Sequence, residues 1–324
     1  MKTKDIETGY KAINWNALED NLDKAMWEKL TEQFWLDTRI PISNDLDDWR
    51  VLPKNEKYLI ERVFGGLTLL DTLQSQDGLT ALKKDVRTQH ETAVYNNIQF
   101  FESIHAKSYS AIFSTLNTPN EIDEIFNWTL TNKHLQKKAS IINDVYQNGS
   151  PLEVKIASVF LESFLFYSGF YTPLYYLGNN KLPNVAEIIK LIIRDESAHG
   201  SYIGYKVQLG FEDLSENEQE KLSDWAYDLL YKLYDNEAKY TASLYDDIGW
   251  TEDVKTFLRY NANKAMQNLG LEPLFPDTDK DVNPIVMNGL STGTNNHDFF
   301  SQVGNGYLLG QVEAMKDEDY QKYV

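Results

Sequence analysis

Glu102-Ser-Ile-His105 and Glu196-Ser-Ala-His199 each set a carboxylate and an imidazole three residues apart. On a helix that is close to one turn, so both side chains of a pair lie on one face. The chain has five histidines, and two of them stand in this arrangement. Glutamate and histidine are both ligands for divalent transition metals.

Both pairs fall on stripes that should face a core. Tyr95, Ile98, Glu102, His105, Tyr109, Ile112 and Leu116 recur in alternating steps of three and four, as do Val185, Ile189, Ile192, Glu196, His199 and Ile203. That spacing is the buried stripe of an amphipathic helix. A buried, unpaired carboxylate costs several kcal/mol or changes its pKa. Something in the core must compensate these acids, and a metal ion does so economically.

Two further acids sit in apolar settings. Asp71 continues the series Ile60, Phe64, Leu67, Asp71, Gln74, and Glu162 is the only charge between Ile156 and Phe170. Either acid alone is equally consistent with pairing to an arginine or a tyrosine hydroxyl. Taken together, a buried-acid helix precedes each Glu-x-x-His helix, which amounts to a weak internal repeat. Four carboxylates and two neutral imidazoles on four helices match the ligand pattern of ferritin-like dimetal proteins. The ligand charge of about −4 is balanced by two divalent cations and not by one, so the spacing predicts an all-α, ferritin-like helical bundle with a dinuclear site in its core.

Tyr109 follows His105 by four residues on the same face. A core tyrosine is unremarkable in a chain with 20 of them. Next to a redox-active metal pair the same phenol can be oxidised to a radical, and beside this site that is the reading we adopt.

The rest of the chain must position these groups. Hydrophobic residues make up 42% of the 324, with 15 phenylalanines and 7 tryptophans, enough for a sizeable core. The net charge of −18 disfavours nucleic acid and anionic membranes. The absence of cysteine excludes disulfides, zinc–thiolate sites, iron–sulfur clusters and thiol nucleophiles. The first residues lack the apolar run of a secretory signal, and no stretch reads as a membrane span, so a cytoplasmic protein is expected. Helices are expected over 55–76, 88–116, 120–147, 152–177, 184–209, 215–247 and 251–269, with a helical turn or two around 16–36. Residues 40–49 are expected to be extended and to wrap the body. Residues 1–290 are read as one helical domain and 291–324 as a C-terminal tail that docks on a partner.

Three segments carry a family resemblance: Glu102-Ser-Ile-His-Ala-Lys-Ser-Tyr109, Leu161-Glu-Ser-Phe-Leu-Phe-Tyr167 and Arg194-Asp-Glu-Ser-Ala-His-Gly200. They resemble the small, radical-generating subunit of class I ribonucleotide reductase. Gly65-Gly-Leu-Thr-Leu-Leu-Asp71 and Asn295-Asn-His-Asp-Phe-Phe-Ser301 are similar to class Ib in particular. The resemblance implies that Asp71, Glu102 and His105 bind one metal ion and Glu162, Glu196 and His199 the other, with some carboxylates bridging. It implies a radical on Tyr109 inside a pocket of Phe166, Phe170 and Ile192. It also implies a radical-transfer route that includes Trp35, Asp195 and His105, with Tyr320 or else Tyr323 relaying from the tail to the large subunit. Ser163 and Tyr167 match positions along an oxidant channel.

Two manganese ions, or two iron ions, are the implied cofactors. A homodimer, the large subunit and a flavodoxin-like activator are the implied partners. The implied activity is reduction of ribonucleoside diphosphates to deoxyribonucleotides. The competing readings are a ferritin-like dimetal oxidase with another substrate, a metal-storage bundle, and a helical interaction protein without metal.

Overall fold

The structure is a computed structural model that describes residues 11–276 and 281–293, and these contain no strand. The element order is α1 (Asn21–Glu32), α2 (Leu46–Val51), α3 (Lys54–Leu73), α4 (Leu79–Leu82), α5 (Gln89–Leu116), α6 (Pro119–Thr131) and α7 (Lys133–Asn148). There follow α8 (Pro151–Phe160), α9 (Tyr167–Gly178), α10 (Pro183–Glu212), α11 (Glu216–Tyr245), α12 (Thr251–Asn268) and α13 (Pro284–Gly293). Helix α3 packs along α5 and α8 along α10, and these helices with their extensions enclose the expected site. The all-α bundle expected from the periodicity is the observed architecture.

Local chemistry sets the helix ends. Thr118 with Glu121, Ser150 with Glu153 and Ser215 with Glu218 form capping boxes, and Pro119 and Pro151 occupy the first turns. Thr88 caps α5 by accepting from the Glu91 amide at 2.8 Å. Helix α10 starts differently. Its N-cap, Leu182, has φ of 48°, a left-handed conformation that costs a branched residue about 1–2 kcal/mol. Carboxylates from a distant segment offset this. Asp48 accepts from the Leu182 amide at 2.9 Å, and Asp45 accepts from the Val185 amide at 2.7 Å. Acids at a helix N-terminus also complement its dipole, so residues 45–48 fix the start of the helix that carries Glu196 and His199.

The structure corrects several expected boundaries. The segment expected to be extended over 40–49 is so only at Ile40: a 3-10 turn at Asp37–Arg39 precedes it, and a second at Ile42–Asp45 leads into α2. The helix expected over 120–147 breaks at Asn132, whose Oδ1 accepts from the amides of His134 and Leu135 and begins a new helix. The helices expected over 55–76 and 152–177 each change into a π-helical turn, at Gln74–Gly78 and Leu161–Leu165. π turns occur often at functional sites, and here both lie at the expected metal cluster. Of the expected tail, residues 294–324 lie outside the described residues, and the segment 295–301 used for the resemblance lies there too.

Candidate metal centre

Helix α3 brings Asp71, α5 brings Glu102, His105 and Tyr109, the second π turn brings Glu162, and α10 brings Glu196 and His199. All six expected ligands are buried, five of them completely, and Asp71 is 1% exposed. Glu102, Glu162, Glu196 and His199 hold potential ligand atoms within 4.8 Å of one another.

The two glutamates of the Glu-x-x-His pairs reach across the site. Glu102 sets Oε1 2.9 Å from His199 Nδ1 and Oε2 3.8 Å from His105 Nδ1. Glu196 sets Oε1 3.0 Å from His105 Nδ1 and Oε2 3.3 Å from His199 Nδ1. Each carboxylate therefore offers one oxygen to each imidazole. Glu162 Oε2 lies 3.6 Å from His199 Nδ1, on that side alone.

These approaches are close but are not aligned as hydrogen bonds. Both oxygens of Asp71, Glu102 and Glu196, Oε2 of Glu162 and Nδ1 of both histidines have no hydrogen-bond partner. Buried polar atoms are almost always partnered. A concentration of orphaned oxygens and imidazole nitrogens facing one another is what a bound cation pair explains, and the donor set suits a dinuclear centre.

The electrostatics give the same picture. Burial, and then the charge of Glu102, push the Asp71 carboxyl well above the usual carboxylate range. Burial and the neighbouring Glu102 and Glu162 do the same to Glu196. Burial disfavours a charged His105 ring, but Asp195 and Glu102 outweigh it and hold the imidazole up to about 10. Without cations, protons must supply the positive charge that the cluster needs.

Tyr109 is fully buried, and its hydroxyl has no partner. Burial pushes the phenol well up, and the charges of Asp71, Glu196 and Glu102 add to the shift. Its ring lies 5.7 Å from that of Phe64. Phe166, Phe170 and Ile192, expected around the phenol, are completely buried, with the rings of Phe166 and Phe170 6.0 Å apart.

Trp35, Asp195 and His105 form a continuous buried chain. Trp35 Nε1 donates to Asp195 Oδ2 at 2.7 Å, and that oxygen stands 3.3 Å from His105 Nε2. Arg194 holds the other Asp195 oxygen at 3.2 Å. With Nε2 given to Asp195, His105 has Nδ1 for the metal side, a carboxylate–histidine pair of the kind that orients metal ligands.

Ser163 and Tyr167, expected along a channel, are 6% and 4% exposed. Asn268 donates to Ser163 Oγ at 3.0 Å. Gly200 lets α10 come this close, because a Cβ there would collide with Ser163 Oγ. Tyr320 and Tyr323 lie outside the described residues.

Two residues at the site were not singled out from the sequence. Phe64 packs on Tyr109, and the amide of Gln74 donates to Glu162 Oε1. Both belong to the apolar stripe of Asp71, and their place on it was the available signal.

Comparison with known proteins gives a consistent result. The family model described as "Ribonucleotide reductase, small chain" matches residues 12–284. The ribonucleoside-diphosphate reductase subunit beta of Mycobacterium leprae is 53% identical over 310 residues, 95% of each chain. The ribonucleoside-diphosphate reductase 2 subunit beta of Escherichia coli is 51% identical, over 95% of this chain and 97% of that one. A crystal structure of dimanganese(II)-NrdF from Streptococcus sanguinis superposes with a TM-score of 0.86 at 76% identity, covering 87% of this chain and all of that one. Among the described residues no helix is long and apolar enough to cross a membrane.

Proposed function

The chain belongs to the ribonucleotide reductase small-chain family, NrdF (class Ib) type, and we propose that it stores its oxidising equivalent on Tyr109. It is the small subunit of a ribonucleoside-diphosphate reductase, a role that pairs it with a large subunit. The observation that carries the residue assignment is the set of orphaned buried donors around two imidazoles.

Asp71, Glu102 and His105 would hold one cation, and Glu162, Glu196 and His199 the other. Glu102 and Glu196 are suited to bridge, because each presents one oxygen to each imidazole. Two manganese ions per chain are our assignment, supported by the dimanganese relative; oxygen and nitrogen donors also accept two iron ions. When bound and oxidised, the metal pair supplies a one-electron oxidant beside the phenol. Tyr109 would be the residue oxidised there, losing an electron and its hydroxyl proton, and Asp71, Glu196 and Glu102 are the carboxylates whose charges bear on that hydroxyl. The apolar burial of the ring denies the resulting radical water and reductants.

His105, Asp195 and Trp35 would carry the equivalent outward through hydrogen-bonded, buried groups. The tail would relay it through Tyr320, with Tyr323 as the other candidate, to the large subunit. A flavodoxin-like activator, a homodimer and an oxidant path past Ser163 and Tyr167 complete the assignment, and these rest on the class Ib membership.

The test is metal quantification with paramagnetic resonance after two reconstitutions, one with manganese plus activator and one with iron plus oxygen. A tyrosyl signal that is lost in Tyr109→Phe is expected. A signal that survives that substitution would move the radical to another residue. Removing residues from Glu313 onward should leave the signal and abolish nucleotide reduction with the large subunit, and full activity of that truncated chain would refute the role of the tail.

A further inference from the structure

The carboxamide of Gln74 ties together the two π-helical turns of the site. Gln74 opens the first, Gln74–Gly78, and is completely buried. Its Nε2 donates to Glu162 Oε1 on the second, Leu161–Leu165, and to Ser158 Oγ at 2.8 Å. Its Oε1 accepts from the Tyr146 hydroxyl at 2.6 Å. The direction of the amide follows from the chemistry of its partners. An ionised carboxylate only accepts, so the NH2 faces Glu162 and leaves the oxygen for a hydroxyl that donates. Gly78 makes the room, since a Cβ there would overlap Gln74 Oε1 and press on the Tyr146 ring.

The two oxygens of Glu162 are therefore treated differently. Oε1 is held from behind by Gln74, while Oε2 has no hydrogen-bond partner and faces His199 Nδ1 at 3.6 Å. Neither oxygen of Glu102 or of Glu196 has a hydrogen-bond partner. The terminal torsion of a glutamate is broad and weakly restrained by itself, so the hydrogen bond decides which oxygen points inward.

We propose that Gln74 is a positioning residue that holds Glu162 with only Oε2 turned to the metal pair, and that Tyr146 keeps the Gln74 amide in the required direction. This rests on the reading of the cluster as a dinuclear metal centre. Without Gln74, Glu162 can present both oxygens on the His199 side, which changes the coordination of one ion and with it the coupling between the two.

The experiment compares full-length wild type, Gln74→Met and Tyr146→Phe loaded with Mn(II) alone. It reads metal affinity, the resonance spectrum of the coupled ions, and the melting temperature of the metal-free chains. Methionine keeps the length of the side chain and removes the donor. Gln74→Met should still bind two ions, with an altered coupled spectrum and an affinity weaker by about 10–100-fold, the usual loss when a residue behind a metal ligand is removed. Tyr146→Phe should alter the spectrum in the same direction with a smaller loss of affinity. A role in packing alone would lower the metal-free melting temperature and leave the spectrum unchanged, and that result overturns the proposal. If Gln74→Met does not fold, Tyr146→Phe decides, and an unchanged spectrum there overturns it. Failure of the wild type to take up two ions would overturn the dinuclear reading itself. Normal uptake by the wild type with an unaltered Gln74→Met would overturn only the role of Gln74.

Discussion

Trp35 donates its indole N–H to Asp195 Oδ2 at 2.7 Å, a contact between residues 160 positions apart in sequence. The same oxygen stands 3.3 Å from His105 Nε2, and the Trp35 and His105 rings stack with centroids 6.0 Å apart. One carboxylate oxygen thus joins a buried indole to the imidazole of His105. A packing role would not require both polar edges of these rings to converge on a single acceptor.

Asp195→Asn keeps the shape and removes the charge. The carboxamide oxygen can accept from Trp35 or from His105, but no longer acts as an anion toward both. Nucleotide reduction with the large subunit should fall by about 100-fold, the upper range for residues behind a metal ligand. At saturating metal, the metal content and the Tyr109 signal should stay within about a factor of two of wild type, because asparagine keeps an oxygen facing the His105 ring and any loss behind a ligand falls on affinity. Turnover assays beside spin quantification separate the two effects. Equal loss of signal and turnover would make Asp195 a determinant of metal binding instead.

Tyr109→Phe should abolish the radical and leave the protein folded with two metal ions. The hydroxyl has no hydrogen-bond partner, so its loss forfeits no bond, and stability should change by less than about 1 kcal/mol. Denaturant unfolding of the metal-free chains checks this. A loss of several kcal/mol would mean that the hydroxyl has a structural partner in solution.

Acidity should oppose metal binding. In the metal-free fold Asp71 and Glu196 sit above the usual carboxylate range, through burial and then neighbouring acids, and His105 is raised to about 10. All three values lie above those of the unfolded chain, so the folded metal-free protein holds protons that the unfolded chain has released. Their contribution is complete below the unfolded values and is lost as pH rises toward the folded ones. Cations replace these protons, so binding releases them and tightens with pH. The rise in melting temperature on adding Mn(II) should be larger at about pH 8 than at about pH 6. An equal rise at both would contradict the proton-filled cluster.

The buried cluster of acids and imidazoles was legible in the sequence because Glu102, His105, Glu196 and His199 repeat a helical spacing on apolar stripes. Asp71 and Glu162 were legible as lone charges in apolar runs. The cross-reach of Glu102 and Glu196 to opposite imidazoles was not legible, since it depends on how α5 and α10 face each other. The π turns were hidden for a related reason. The residues from Leu161 to Leu165 suit an α-helix equally well, and nothing in their types marks the wider turn that packs against α12 and α10. Asn132 was misread because its side-chain cap outweighs the surrounding pattern, and the segment 40–49 because its short turns carry no side-chain cap of their own, so no start signal marked them.

Away from the metals, one buried ion pair should set much of the stability. Lys138 Nζ lies 2.7 Å from Glu237 Oε2 and 2.9 Å from Oε1, joining α7 to α11, and both side chains are excluded from solvent. The ammonium also sits 3.9 Å from the centroid of the Tyr240 ring. Burial lowers the Lys138 pKa, and the charge of Glu237 works against that shift. Lys138→Met leaves Glu237 buried without its cation and should cost about 3–5 kcal/mol. The double variant Lys138→Met with Glu237→Leu removes both charges and should recover most of that loss, because a paired buried ion contributes little beyond what apolar packing supplies. Denaturant unfolding of the four chains in a double-mutant cycle measures this. Additive losses in the double variant would mean that the two side chains are not energetically coupled, and a double variant left as unstable as Lys138→Met would mean that the pair contributes net stability beyond apolar packing.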